Sequence, residues 1–256
     1  MDVKLLSKSK NKLSLRIKGT NAVFINTLRR TIIEEVPTLA IDEVSFVENS
    51  SALYDEMLAL RLGLVPLKTD LKSYVLPEQA KNETDPRAFL NLKLKATGPK
   101  TIYASDIQSQ DPKVQPAFPK MVLVKLLKDQ QIECEAKAIL GKGKTHMKFA
   151  PALAYYNNTS TVTVKKKDLG EFKDKYPSQI LDKSGKIDPK LINTQKLIDT
   201  CKNINPNIIE VEEKPDSFDF TIESWGQLSI NDILKQAIKI IDEKISDFEK
   251  ELKKIK

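Results

Sequence analysis

The residues best suited to chemistry lie in Gly141-Lys142-Gly143-Lys144-Thr145-His146, where glycines, lysines and a hydroxyl resemble part of a phosphate-cradling loop. A complete loop of that kind needs a further glycine five residues before the glycine of its Gly-Lys-Thr, and that position holds Ala138. Without it the backbone amides cannot wrap a phosphate, and no strand–loop–helix pattern follows. His146 is the only histidine, so a His pair and a multi-His metal site are excluded. It reads as a structural or interface residue. Acidic residues are numerous, but Asp242, Glu243, Asp247, Glu249 and Glu251 alternate with lysines as on a solvated helix face. No paired-aspartate cluster suited to magnesium stands out, and Asp55 and Glu56 read as surface polar residues. Lys165-Lys166-Lys167 could meet a phosphate backbone, although three lysines are more often simply solvated. The residues alone therefore point to no catalytic group.

The elements that would position any such group follow from periodicity. Val3 and Leu5, then Leu13, Leu15 and Ile17, alternate with polar residues and predict two strands joined by a turn at Ser7–Lys12. Asn21 is placed to cap a helix carrying Val23, Phe24, Leu28, Ile32 and Val36 on one side, with Asn26, Arg29, Arg30 and Glu34 opposite. Pro37 ends it, because the residue before a proline avoids the helical region. Thr38–Val47 is β-rich, and Ala52–Leu62 reads as a second helix with Leu53, Met57 and Leu60 on its apolar side and Gly63 as C-cap. Lys72–Arg87 and the proline-bearing Asp106–Pro119 read as loops. Phe89–Ala96, Thr101–Ala104, Met121–Leu127, Ile132–Leu140, Tyr155–Val164 and Phe218–Glu223 read as strands. Lys165–Pro215 is Lys/Asp/Asn-rich, with turn signals at Lys183–Lys186 and Asn205–Asn207 and a short helix at Thr194–Cys201. Trp225-Gly226 reads as a turn with an anchoring aromatic.

The last segment carries the most information. Ser229 caps a helix in which Ile230, Ile233, Ala237, Ile241, Ile245, Phe248, Leu252 and Ile255 recur at three- and four-residue steps. The stripe is roughly 38 Å long at 1.5 Å per residue. It can be buried on the protein's own sheet, or part of it can be buried against a partner.

Bulk properties agree with a folded, water-soluble chain. Of 256 residues, 40% are hydrophobic and 30% charged, and the net charge of +7 is too mild to demand nucleic acid. Cys134 and Cys201 sit far apart outside any ligand-pair spacing, which argues for reduced thiols and against a disulfide framework. The amino-terminal residues lack the apolar core of a signal peptide, and no apolar run is long enough to cross a bilayer, so no membrane contact and a cytoplasmic location are expected.

Three segments then carry a resemblance. They are Phe24-Ile-Asn26-Thr-Leu-Arg29-Arg30 through Asp42; Leu53-Tyr-Asp55-Glu56-Met-Leu-Ala-Leu-Arg61-Leu-Gly63-Leu-Val-Pro66; and Gly141-Lys-Gly143-Lys-Thr-His146-Met-Lys148-Phe-Ala-Pro151. In order and spacing they resemble the D family of archaeal DNA-directed RNA polymerase subunits, whose counterparts are the third-largest subunit of eukaryotic polymerase II and the bacterial alpha N-terminal domain. The clear likeness covers residues 21–67, 139–156 and 217–256.

The resemblance implies an α+β fold with a discontinuous dimerisation domain, sheet plus two helices, at residues 1–39 and 216–256. It implies an inserted β-rich domain at 40–165 and a small insert at 166–215 in the position of a ferredoxin-like one. It implies a non-catalytic scaffold in transcription, part of a nucleotidyltransferase complex. Such a protein pairs with the small subunit L, binds small subunits N and P, forms the platform for the second-largest catalytic subunit, and meets DNA only through the assembled complex. The implied partner contacts are Phe24, Leu28, Arg29, Arg30, Ile32, Ile233, Ala237, Ile241, Ile245, Phe248 and Leu252, with Arg29 and Arg30 turned to the large subunit. Two departures stand out. The loop matching Lys72–Phe89 lacks the cysteines many relatives carry, and Cys201 is the only cysteine in Lys167–Pro215. One thiolate cannot hold a four-cysteine cluster, so neither zinc nor an iron–sulfur cluster is expected. An apolar centre of Phe172, Ile180, Leu191, Leu197, Ile204 and Ile208 is expected in its place. Two other readings stay open, a nucleic-acid-binding module and an enzyme centred on Lys144 and His146.

Overall fold

A computed structural model describes residues 1–82, 85–166, 169–182, 184–202 and 204–255. Lys167 of the three-lysine run, Lys183 of the expected turn and Lys256, the last residue of the expected dimerisation domain, lie outside the described residues. The fold is α+β. Strands β1 (Asp2–Lys8), β2 (Lys12–Lys18), β9 (Ala152–Val164) and β10 (Ile209–Ser224) form one sheet in the order β1-β2-β10-β9. Strands β3 (Thr38–Asn49), β4 (Phe89–Thr97), β6 (Gln108–Ser109) and β8 (Gln131–Gly141) form a second, ordered β3-β8-β4-β6, and β5 (Lys100–Tyr103) pairs with β7 (Val122–Leu126). The helices are α1 (Ala22–Glu34), α2 (Asp55–Gly63), α3 (Gln195–Lys202) and α4 (Ile230–Lys254).

The chain divides into two compact units. The first comprises Met1–Leu5, Leu15–Ile25 and Tyr156–Phe220. Its core around α3 is built from Leu169, Tyr176, Ile180, Ile187, Ile192, Cys201, Ile208 and Ile209, with Phe172, Leu197 and Ile204 packed against them. The expected apolar centre is thus present with one correction: Leu191 is exposed and Ile192 takes the inward position. A short 3-10 turn at Pro189–Leu191, capped by the Asp188 side chain accepting from the Lys190 amide, rotates Leu191 outward. Elsewhere in this unit Arg16 grips Asp219 through two hydrogen bonds of 2.7 and 2.9 Å, the planar fork-to-carboxylate geometry that lysine cannot reproduce.

The second unit comprises Leu6–Ser14, Asn26–Tyr155 and Thr221–Lys256. Its core lies between the β3-β8-β4 sheet and α2, with Leu39, Ile41, Leu58, Leu62, Leu67, Leu92, Ile102 and Leu123 at its centre. The opposite face of that sheet is a solvated ladder of cross-strand ion pairs, Lys93–Glu135 and Lys95–Glu133 among them, which reads as surface and nothing more.

Several expectations change. The buried face of α2 is Leu58 and Leu62, while Met57 and Leu60 are exposed. The helix begins at Asp55, later than the expected Ala52, and the four-residue step from Leu58 to Leu62 is the one that meets the sheet. Gly63 belongs to the helix, and Leu64 is its C-cap in a right-handed conformation. Strand β10 begins at Ile209, nine residues before the expected Phe218, because Pro215 does not interrupt the strand. The expected loop at Asp106–Pro119 contributes the short strand β6. Every residue of β1, including Val3 and Leu5, is exposed.

Candidate partner interface

Helix α1 starts as its sequence dictates. The Asn21 side-chain oxygen accepts the Phe24 amide at 2.9 Å and satisfies one of the free donors of the first turn. The buried face is Ile25, Leu28, Ile32 and Val36. Ile25, overlooked in the sequence, replaces Val23 and Phe24, which are exposed. The missed signal is the 25–28–32–36 spacing, a better helical match than 23–24–28. On the outer side Arg30 donates to both Glu34 oxygens at 3.1 and 3.0 Å, and Arg29 donates to the Asn26 side chain at 3.0 Å. The Arg30 bond holds the Glu34 carboxyl below its ordinary range, and Glu34 raises the Arg30 guanidinium in turn.

Helix α4 starts at Ser229, whose hydroxyl oxygen accepts the Asp232 amide at 3.2 Å. It carries two apolar stripes where the sequence suggests one. Ile230, Ile233 and Ala237 are buried, and no described residue beyond Ala237 on this helix is buried. The inward line continues to half-buried Ile240 and then to Lys244, which donates to Glu35 at 2.8 Å. A second line, Leu234, Ile238, Ile241, Ile245, Phe248, Leu252 and Ile255, alternates four- and three-residue steps about a quarter turn away. Ile245 is 54% exposed, Phe248 65% and Ile255 81%. Acidic and basic neighbours along this half pair with one another, as in Lys250–Asp247 and Lys254–Glu251.

Of the residues implied as partner contacts, Ile32, Ile233 and Ala237 are therefore fully covered within the chain and Leu28 nearly so. Phe24, Arg30, Ile245, Phe248 and Leu252 are exposed, and Arg29 and Ile241 are half-buried.

Glu35, just past the end of α1, accepts from Lys244 at 2.8 Å and from Lys142 at 3.5 Å. The Lys244 bond leads the causes that lower its carboxyl, against the opposing effect of burial.

The glycine–lysine loop does not open onto a phosphate site. A Cβ on Gly143 would lie 1.9 Å from the Ile33 carbonyl oxygen, so the loop backbone is pressed against the end of α1. The Lys144 amide is already used, donating to the Glu34 carbonyl at 2.9 Å. His146 accepts the Lys148 amide through Nδ1 at 3.0 Å, and Lys148 pairs with Asp42 at 2.7 Å. Lys165 pairs with Glu210 at 3.0 Å. Both cysteines are buried free thiols, and burial pushes the Cys134 thiol up to about 11. Among the described residues no group of three or more His, Cys, Asp or Glu side chains could hold a metal ion, and no helix is long and apolar enough to cross a membrane.

This arrangement, an α+β chain with an uncovered heptad seam on its last helix, is that of a dimerisation module. The family model of the RNA polymerase Rpb3/Rpb11 dimerisation domain matches residues 14–245, and the chain belongs to that family. DNA-directed RNA polymerase subunit Rpo3 of Pyrococcus horikoshii is 35% identical over 262 residues, covering 99% of this chain and 98% of that protein. The subunit of the same name from Pyrobaculum calidifontis is 36% identical over 250 residues, covering 96% and 94%. That of Natronomonas pharaonis is 35% identical over 250 residues, covering 97% and 96%.

Proposed function

We propose that the chain is a non-catalytic assembly subunit of an archaeal DNA-directed RNA polymerase that heterodimerises with the small subunit L. The observation that carries this reading is the exposed seam of α4. A row of large apolar side chains at heptad spacing gains free energy only when another surface covers it. Two-helix seams of this kind pack at about +20°, with side chains of one helix seated between those of the other. Phe24, Ile241, Ile245, Phe248 and Leu252 would contact the partner. Leu28, Ile32, Ile233 and Ala237 would hold the two helices on the body of the chain and act on the partner through them.

In this reading the dimerisation domain is residues 1–39 and 216–256, the inserted β-rich domain 40–165 and the small insert 166–215. The heterodimer binds small subunits N and P and offers a platform to the second-largest catalytic subunit, with Arg29 and Arg30 on that side. The outward placement of Arg30 supports this role. The complex meets DNA; this chain does so only as part of it, in the cytoplasm and without a membrane. Co-expression of the chain with subunit L, with and without Phe248→Glu, tests the pairing. A one-to-one complex lost on substitution supports it, and a complex indifferent to that charge contradicts it.

A further inference from the structure

We infer that the segment Gly141–Pro151 is a bridge that fixes the end of α1 to the start of α4, with Gly143 as the positioning residue on which the pairing of both helices with a partner depends. This rests on the reading that α1 and α4 carry the partner interface.

The first end of the bridge grips α1. An α-helix leaves its last four carbonyls without partners inside the helix. The Glu34 carbonyl is satisfied by the Lys144 amide at 2.9 Å. The Ile33 carbonyl lies so near Gly143 that a Cβ there would sit 1.9 Å from the oxygen and 3.0 Å from its carbon. Both atoms are backbone, so a larger residue must move the helix end or the loop. Lys142 adds a side-chain tie to Glu35 at 3.5 Å, and the same carboxylate takes Lys244 of α4 at 2.8 Å. One carboxylate thus joins the loop, the end of α1 and the inward face of α4.

The other end holds the chain entering α4. The Pro151 carbonyl accepts the Trp225 amide at 3.1 Å. The Phe149 carbonyl accepts the buried Thr38 hydroxyl at 2.7 Å, and Gln227 donates through Nε2 to that hydroxyl at 3.5 Å. Gln227 lies two residues before the Ser229 cap of α4 and is buried. Between the two ends the Thr145 hydroxyl donates to the Lys142 carbonyl at 2.7 Å and closes the loop on itself. The motif that imitates a nucleotide loop takes structural roles here. Its glycine permits close approach, its amide caps a carbonyl and its first lysine supplies an ion pair. A preformed angle between two interface helices lowers the ordering cost of association.

The test uses the full chain, alone and co-expressed with subunit L. The variants are Gly143→Ala, Lys142→Ala and Lys144→Ala, read by hydrogen exchange of α1 and α4, by thermal unfolding and by titration of pairing. Gly143→Ala is expected to speed exchange in the last turn of α1 and to weaken pairing, each by about tenfold or more. Lys142→Ala should give a smaller loss of the same kind. Lys144→Ala should change neither, since the amide does the work. Unchanged α1 exchange and pairing in the first two variants overturns the bridge, as does an equal effect of all three. If Gly143→Ala does not fold, Lys142→Ala decides the matter, with its pairing loss measured against any loss of thermal stability. Absence of pairing by the unaltered chain would sink the interface reading, while hydrogen exchange of the chain alone would still judge the bridge.

Discussion

Lys244 on the inward line of α4 donates to Glu35 at the end of α1 across 2.8 Å, and this pair marks where α4 stops being covered by its own chain. Before it, at Ile230, Ile233 and Ala237, the helix is buried; around and after it the apolar seam is open. The Glu35 carboxyl lies below its ordinary value of 4.5, chiefly through the Lys244 bond. A depressed carboxyl stabilises the fold fully above its unfolded value and loses that contribution as pH falls through the folded one. Thermal unfolding of Glu35→Gln should therefore fall below that of the unaltered chain at neutral pH, and the gap should close as pH drops below about 4.5. A gap that stays constant as the pH is taken well below that value would show the charge is not what matters.

The two stripes of α4 should respond oppositely to substitution. Ile233→Ala removes a fully buried side chain and is expected to cost about 2–5 kcal/mol in denaturant unfolding of the isolated chain. Phe248→Glu alters an exposed position and should change that stability by no more than about 0.5 kcal/mol while abolishing pairing. Equal destabilisation by both would mean the seam is already covered.

Replacing Arg29 and Arg30 with alanine should spare pairing with the small subunit and weaken docking of the second-largest one. The Arg30–Glu34 pair is exposed and screened by solvent, so the fold itself should hold without it. Stepwise reconstitution followed by native mass spectrometry separates these outcomes; loss of the heterodimer would place the arginines on the wrong side.

The insert should need no metal. Its core closes over Cys201 and seven other buried side chains, so a chelator should leave its thermal transition unmoved and metal analysis should find neither stoichiometric zinc nor iron. A chelator-induced drop in melting temperature would overturn this.

The sequence disclosed caps and periods better than faces. Asn21 and Ser229 cap where a side-chain oxygen must, and Pro37 ends α1 because its ring forbids continuation. Which residues of an amphipathic helix turn inward depends on the surface it meets. For that reason Leu58 and Leu62 replace Met57 and Leu60 on α2, and the single predicted stripe of α4 resolves into two. The role of Gly143 was illegible for a related reason: its neighbour, the Ile33 carbonyl, is more than a hundred residues away in the chain, and local pattern pointed to a phosphate instead.

The most direct test of the assembly role is size-exclusion chromatography with light scattering of the chain co-expressed with subunit L. A stable one-to-one complex is the predicted result, with the chain alone prone to association through the uncovered seam of α4. A monodisperse monomer that ignores the small subunit at high concentration would contradict the account.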